Sequence, residues 1–586
     1  MLKTSIIRFF KSPIKAGVLF VFWLCVSCYL FTTTGYWNEV NKPIDLMLVI
    51  LPYVFLIYLV ISYECFYDIK RFRMEELLQG NKNLVFKAQM REFILLLILD
   101  FLTAIYLFGF HSLCYYQAGV LCKSLILYTI RVVGIYIFLM ILVTIFIGWA
   151  ISLITSRFYG LVLLALTFYV FDMSFLSLLC SMSGKNPFFW KLTTLFSFFF
   201  QSRRGICRDA DYLLTAENVH IYRALFFSFV MMAVILWKQA RKRVASFMAM
   251  ALSLVSLYLF FQPTGAVYFM MNIFNTYDSV AYLDRYSGDV SWEEMVKEKS
   301  EKGQPDFYVK KYDIDMTITD ELQAKVKILP SRKNLKQYRF TLQYFFRVEK
   351  VTDAQGRELS FEQEGDYLTV YNSSDDIGLV NIYYRGSTKA FYATTQGIML
   401  PANYEYFPVP GWHRVFMNSG DKCPGKEEMP LQEQCFSREV LSKEADFHVA
   451  LHCRGKYPVA SNLSVVMREK KHGFQNWEIR GKSDGMTLIG NPYLIQKEIQ
   501  GVRIVCSSLD LDNVPKGKNV QEYETILKRI KKNTGYSMRG KTFIVSPDYN
   551  YINWTIAKDH YLGTLLGIEG NISDYQKKKI LYNIGS

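Results

Sequence analysis

The chain has 586 residues, 51% hydrophobic and 20% charged, with a formal net charge of +15. Its basic surplus invites a nucleic-acid reading, yet residues 1–262 hold 24 Lys+Arg against 12 Asp+Glu while the remainder holds 43 against 40. Charge gathered between apolar stretches reports membrane orientation, which excludes a nucleic-acid partner and a wholly water-soluble protein alike.

The opening segment MLKTSIIRFFKSPIK sets Ile6, Ile7, Phe9 and Phe10 among Lys3, Arg8 and Lys11. That composition predicts a short helix lying on a membrane surface. Seven apolar stretches follow: Ala16–Thr34, Ile44–Ser62, Glu92–Phe110, Ser124–Ile154, Phe158–Cys180, Tyr222–Trp237 and Val244–Gln262. At a rise of 1.5 Å per residue, most of them suffice for a hydrocarbon core of ~30 Å. The first is too long for a cleaved signal peptide and lacks its small-residue exit, so it reads as a span. Between the second and third, residues 63–92 are charged and broken at Gly80–Asn81, predicting two short helices joined by a turn. Pro187–Gln201 is apolar but only 15 residues long and contains Lys191. It reads as re-entrant or interfacial.

With the N-terminus inside, the inner segments carry fifteen Lys and Arg and the outer ones seven. This asymmetry predicts a cell-membrane protein with a cytoplasmic N-terminus; seven crossings then place the C-terminal half outside. Ionisable residues within a span are costly in lipid and turn toward protein or water. Asp100, Arg131 and Asp172 are the intramembrane candidates, either as a pathway or, for Asp100 and Arg131, as a structural ion pair.

The order of parts over residues 1–240 resembles the transmembrane subunits of type-2 ABC exporters. A surface helix, a short outer loop and a charged inner loop with RMEELL and KAQMRE precede further spans with a re-entrant apolar segment. The resemblance implies a separate ABC ATPase docked on the inner loop, with Arg71, Arg73, Glu75 and Glu76 as contact candidates; a plainly solvated loop is the alternative. It also implies a second permease subunit, identical or different, surrounded by membrane lipid, and no cofactor.

Residues 263–311 read as a juxtamembrane linker. From Tyr312 the period becomes two, in YDIDMTIT, AKVKIL, YRFTLQYFFRV, YLTVY, VNIYYRG, FHVALHC and VRIVC. Such spacing predicts an antiparallel β-sandwich over 312–518. QEYETILKRIKKN then reads as a helix and KTFIVSP as a strand, giving a short α/β segment over 519–586. The expected fold class is therefore a membrane α-helical bundle of about seven helices, then a mainly-β sandwich domain with a short α/β C-terminal segment. Cys423, Cys435, Cys453 and Cys506 form an even set without C-x-x-C spacing. That pattern argues against zinc and leaves one or two disulfides, or four thiols, open.

Over residues 312–548 the chain resembles the N-terminal portion of the aminopeptidase N family of gluzincin metallopeptidases. The carriers, in order, are YDIDMTIT, VNIYYRG, MLPANYEYFPVPGWH, ADFHVALHCRGKYPVASN, MTLIGNPYLIQKEIQGVRIVC and TGYSMRGKTFIVSP. The resemblance implies an all-β domain leading toward a thermolysin-like one. The zinc helix of that family carries H-E-x-x-H, which this chain lacks. His448 and His452 stand four apart, but in a predicted strand, where ~13 Å separates such positions. No catalytic or metal-binding residue is expected.

Two motifs match by letter alone. Gly535–Thr542 spells G-x-x-x-x-G-K-T, but a helix precedes it and a strand follows, the reverse of a phosphate-binding loop. Gly481–Gly485 spells G-x-S-x-G between two predicted strands, where a hairpin turn is expected instead of a nucleophile elbow. The leading expectation is a non-enzymatic permease subunit of an ABC-type exporter moving a peptide or amphipathic compound. The alternatives are a membrane-anchored, non-catalytic peptidase-like binding or sensor protein, and half of a split metallopeptidase.

Overall fold

The computed structural model describes residues 2–33, 42–71, 82–117, 121, 123–171, 195, 196, 198, 218–240 and 243–261. With short breaks, it further describes 305–412, 416, 417, 435, 436, 441–507, 518–545, 555–563 and 568. The chain divides into two compact units, Met1–Pro263 and Thr264–Ser586.

The first unit is helical. Its elements are α1 (Leu2–Lys11), α2 (Pro13–Thr33), α3 (Lys42–Arg71), α4 (Lys82–Gln117), α5 (Lys123–Val133), α6 (Leu139–Ile154), α7 (Arg157–Phe171), α8 (Asn218–Ile235) and α9 (Arg243–Phe261). A π-helical turn, Gly134–Phe138, joins α5 to α6 into one continuous rod. Among the described residues, six helices are long and apolar enough to cross a membrane, counting that rod once. α7 is apolar but has only 15 residues. The remainder of the expected fifth stretch, 172–180, lies outside the described residues.

Of the expected inner loop, residues 72–81 with the Gly80–Asn81 break lie outside the described residues. α3 runs on to Arg71, and α4 is a single helix of 36 residues that already contains KAQMRE. Lys, Ala, Gln, Met, Arg and Glu are all strong helix formers without a breaker among them, so the span simply extends.

One end of this unit is tied by polar contacts. Arg8 of α1 pairs with Glu92 of α4, and Lys15 of α2 pairs with Asp68 of α3. Lys70 donates to the Thr155 carbonyl at 3.1 Å, and the buried Trp149 indole donates to Gln89 Oε1 at 2.8 Å. α3 and α6 cross closely at Gly148, where a Cβ would stand 2.7 Å from the Tyr63 nitrogen and 2.8 Å from Ser62 Cβ. Small residues permit such backbone approach where lipid supplies no hydrophobic drive. Phe66 stacks on Trp149 beside that crossing, with ring centroids 4.7 Å apart.

The second unit is β-rich. Its largest sheet has seven strands in the order Ser464–Lys471, Phe474–Ser483, Ala445–Cys453, Val309–Ile318, Leu322–Pro330, Val380–Gly386, Phe346–Thr352. Alternation sorts its faces: Tyr312, Ile314, Met316, Val449 and Leu451 are buried, while Asp313, Asp315, His448 and His452 face outward. The sheet is not wholly antiparallel, since Val309–Ile318 and Ala445–Cys453 pair in parallel with Lys311 opposite Asp446. Strands so distant in sequence can pair either way, because the chain between them is long enough for a crossover. The run MLPANYEYFPVPGWH supplies core aromatics, with Tyr404, Tyr406 and Phe407 buried. The Tyr406 hydroxyl donates to the Met486 carbonyl, and that of Tyr384, from Val380–Gly386, donates to the Tyr406 carbonyl, each at 2.7 Å.

Two smaller four-stranded sheets flank these residues. A five-stranded sheet then orders Leu494–Ile499, Val502–Ser507, Thr542–Val545, His560–Gly563 and Thr555–Ile556. α10 (Lys518–Thr534) lies between Val502–Ser507 and Thr542–Val545, which are parallel neighbours, and so forms a βαβ crossover. Tyr523, Ile526, Leu527 and Ile530 of α10 pack on Ile504, Cys506, Phe543 and Tyr561.

Candidate functional site

Inside the helical unit, the polar groups divide unevenly between helices. Asp100 of α4 is fully buried, and neither carboxyl oxygen has a hydrogen-bond partner among the described residues. One turn along α4, Thr103 meets the Tyr58 hydroxyl at 2.5 Å. Arg131 lies on α5 with its side chain exposed, so it does not form the expected pair with Asp100. The helical phase explains this, since Tyr128, Thr129, Val132 and Val133 take the inward positions around Arg131. Asp172 lies outside the described residues, as do Arg73, Glu75 and Glu76; Arg71 is the exposed last residue of α3. Of Pro187–Gln201, only Leu195, Phe196 and Phe198 are described.

α8 contributes two buried ionisable side chains that the sequence reading passed over. His220 is 2% exposed, with its ring centroid 5.3 Å from that of Tyr136 on the π-helical turn. Arg223 is likewise 2% exposed and lays its guanidinium 4.5 Å over the Phe198 ring. The three-residue spacing of His220 and Arg223 puts both on one helical face, and that was the available signal. It was missed because Arg223 stands second in the expected stretch, where a basic residue passes for an interfacial anchor. The π-helical turn widens the backbone beside these groups, a feature often found where helices carry function.

In the β-rich unit, the outward face of the large sheet carries His448 and His452. His448 lies 3.3 Å from Asp313 through Nδ1 and 3.1 Å from Glu478 through Nε2. Hydrogen bonds from His448 and Arg480 hold the Glu478 carboxyl below its ordinary range. His452 has its own partners, Asp315 at 3.4 Å and Asn476 at 2.7 Å. Two rings held apart along one strand by separate partners do not fit a shared zinc ion. Among the described residues, no group of three or more His, Cys, Asp or Glu converges for a metal.

Neither letter motif forms its namesake. Ser483 is 1% exposed and donates to Asp559 Oδ1 at 2.9 Å, with Gly485 O also at 2.7 Å. The expected hairpin is also absent: Phe474–Ser483 ends the large sheet, and Leu488–Gly490 pairs instead with Val459–Ser461 and Ile398–Leu400. The chain changes sheets here because Asp484, Met486 and Thr487 turn inward. In Gly535–Thr542, Lys541 sets its ammonium 3.7 Å from the Tyr536 ring centroid, and Thr542 Oγ1 accepts from Arg503 at 2.9 Å. A strand follows, so no helix N-terminus presents N–H groups to a phosphate.

Asp559 joins these segments. Its carboxylate accepts from Ser483, from Asn462 Nδ2 at 2.8 Å and from His560 Nδ1 at 2.7 Å. The other ring nitrogen of His560 lies 2.8 Å from Thr487 Oγ1. Burial alone would raise the Asp559 pKa, but the hydrogen bonds from His560, Asn462 and Ser483 outweigh it and the carboxyl falls below its usual value. Asp484 accepts from the Lys558 amide at 3.1 Å, and there burial prevails, pushing its carboxyl up. This constellation locks the small sheet against the β layers: His560 is fully enclosed, and Ser483 faces the carboxylate rather than the imidazole.

Of the four cysteines for which the sequence leaves both disulfides and thiols open, Cys453 and Cys506 are thiols. Cys453 is a buried thiol with Sγ 2.9 Å from the Tyr457 hydroxyl, so it is not in a disulfide. Cys506 is buried beneath α10 in another sheet. The side chain of Cys435 and all of Cys423 lie outside the described residues.

No family model matches the sequence, and no curated protein matches it. Among solved structures, the chain is similar to an M1 zinc metallopeptidase from Deinococcus radiodurans, at 16% identity and TM-score 0.29, over 45% of this chain and 61% of that one. It is also similar to native leukotriene A4 hydrolase from Saccharomyces cerevisiae, at 14% identity and TM-score 0.29, over 46% and 42%. The chain thus covers less than two thirds of either protein, and likenesses this distant carry no functional argument.

Proposed function

We propose that this chain is the membrane subunit of an exporter of the type-2 ABC class, moving a peptide or amphipathic compound with energy from an ATPase on a separate chain. The observation that supports it best is the burial of Asp100, His220 and Arg223, beside Asp68, Glu92 and His111, inside a unit of long apolar helices. Anchoring a β-rich domain needs one apolar helix and no interior charge. Several helices enclosing ionisable groups, each costly in lipid, are what a passage for a polar or amphipathic solute requires. On this reading the positive loops face the cytoplasm, the β-rich unit lies outside, and a second subunit completes the passage. The ATPase docks on the inner loop near Arg71, Arg73, Glu75 and Glu76.

The test starts from the full chain, tagged and purified from its native membrane in mild detergent. A co-purifying ATPase is expected, lost when Arg71 and Arg73 are changed to Glu, together with ATP-driven movement of substrate in proteoliposomes. Absence of ATP hydrolysis in the complex, or a C-terminal reporter active only in the cytosol, sinks the exporter reading. A membrane-anchored peptidase-like binding protein is then the reading that stands.

A further inference from the structure

The β-rich unit contains a groove of about 550 Å3 lined by the Gln500–Gly501 turn, the outward side of α10 and the loop after it. Three cations reach it: Lys528 and Lys531 from successive turns of α10, and Arg539 from the loop. All three are exposed; among the described residues none of them is in an ion pair and no carboxylate lines the groove. The Ser537 hydroxyl lies at the same rim, and the buried side chains of Val502 and Met538 form an apolar floor.

The arrangement is held by local geometry. Gln500 and Gly501 both have positive φ, 49° and 76°, giving a two-residue hairpin turn whose carbonyl accepts from the Gly540 amide at 2.7 Å. A Cβ at position 501 would stand 3.0 Å from Arg539 Cγ, so the glycine leaves space for the arginine stem to lie across the turn. Basic residues in the last turn of α10 also complement its dipole, which accounts for Lys531 and Lys532. It accounts neither for Lys528, one turn earlier, nor for Arg539, which belongs to a different segment.

We propose that this groove binds a ligand bearing a phosphate group. Three cations around one cavity call for more than one negative charge on one centre. A phosphomonoester supplies ~2 charges and three acceptor oxygens, whereas a carboxylate supplies one charge and two oxygens. The planar guanidinium of Arg539 matches phosphate oxygens in pairs, and the lysines act as point charges. The volume suits a small phosphorylated molecule or a lipid headgroup, with its carbon part on Val502 and Met538. Ser537, Met538 and Arg539 belong to the letter-matched segment Gly535–Thr542, but Lys541 and Thr542, which would hold phosphate in such a loop, are engaged elsewhere.

Isothermal titration of the full chain in neutral detergent tests it with two probes, inorganic pyrophosphate and dihexanoyl phosphatidic acid, with malonate as the carboxylate control. Saturable binding of a phosphate probe is expected, weakened at least about tenfold by Lys528→Glu with Lys531→Glu. The charge-matched pair Lys470→Glu with Lys471→Glu, on the exposed edge strand, should leave it unchanged. Tighter pyrophosphate binding identifies a soluble phosphate as the source; tighter phosphatidic acid binding identifies a lipid headgroup. No saturable binding of either probe, equal binding in both double variants, or malonate binding as tight as pyrophosphate overturns the proposal. Arg539→Ala removes the only guanidinium lining the groove among the described residues and should weaken phosphate binding without adding charge; unchanged binding counts against the proposal.

Discussion

Ser483 donates its hydroxyl hydrogen to Asp559 at 2.9 Å, across 76 positions of chain. The serine that spells a nucleophile elbow is thereby one of three donors to a carboxylate closing the small C-terminal sheet onto the β layers. Asp559→Ala should cost about 2–3 kcal/mol, because it strands the buried His560 Nδ1 donor and removes one acceptor each from Ser483 and Asn462, which keep Gly485 O. Ser483→Ala should cost less, about 1 kcal/mol, because Asn462 and His560 keep the Asp559 carboxylate as acceptor. Hydrogen exchange of the full chain in detergent measures both; a Ser483→Ala loss as large as that of Asp559→Ala contradicts the lock.

The same lock has a pH signature. Asp559 is held below the ordinary aspartate value, so its contribution is present above that value and disappears as pH falls through the folded pKa. Asp484 is raised by burial, so it costs stability above the ordinary value and ceases to do so on protonation. Thermal unfolding from neutral pH to below about 4 should show Asp559→Asn flattening the acid limb. Asp484→Asn should leave that limb and raise the midpoint at neutral pH. Interchanged behaviour of the two variants counts against the assignment.

Asp100 carries no hydrogen bond among the described residues, so its retention is not explained by stability. Asp100→Leu should keep or raise the thermal midpoint in detergent, since an apolar group of similar size removes a buried polar cost. Substrate movement in proteoliposomes should fall sharply in the same variant. A variant that unfolds and transports normally when rescued by low temperature places Asp100 in the scaffold instead.

Gly148 sits where α3 and α6 touch backbone to backbone. Gly148→Val drives a branched side chain into the Tyr63 nitrogen and should cost at least about 1–3 kcal/mol. Retention of the wild-type midpoint in the purified variant speaks against this crossing.

Cys453 is a buried thiol bonded to the Tyr457 hydroxyl. Cys453 should alkylate only after unfolding, and to the same extent with and without prior reduction. Mass spectrometry of alkylated peptides decides this, and a Cys453 blocked until reduction refutes it.

What the sequence alone determined was whatever depends on local period. Apolar runs read as helices, alternation from Tyr312 read as strands, and the absence of H-E-x-x-H needed no coordinates. The face of His448 and His452 followed too, because alternation in a strand has one outcome. Tertiary structure decided everything resting on helical phase or on partners distant in the chain. Arg131 faces out and Arg223 in, although both stand in apolar segments; only the packing of α5 and α8 distinguishes them. The parallel pairing of Val309–Ile318 with Ala445–Cys453, the burial of Ser483 under Asp559, and the gathering of Lys528, Lys531 and Arg539 around one groove are likewise products of long-range closure. Pattern records how each segment meets its own core; it does not record which other segment supplies that core, because that choice is made by burial across the whole fold.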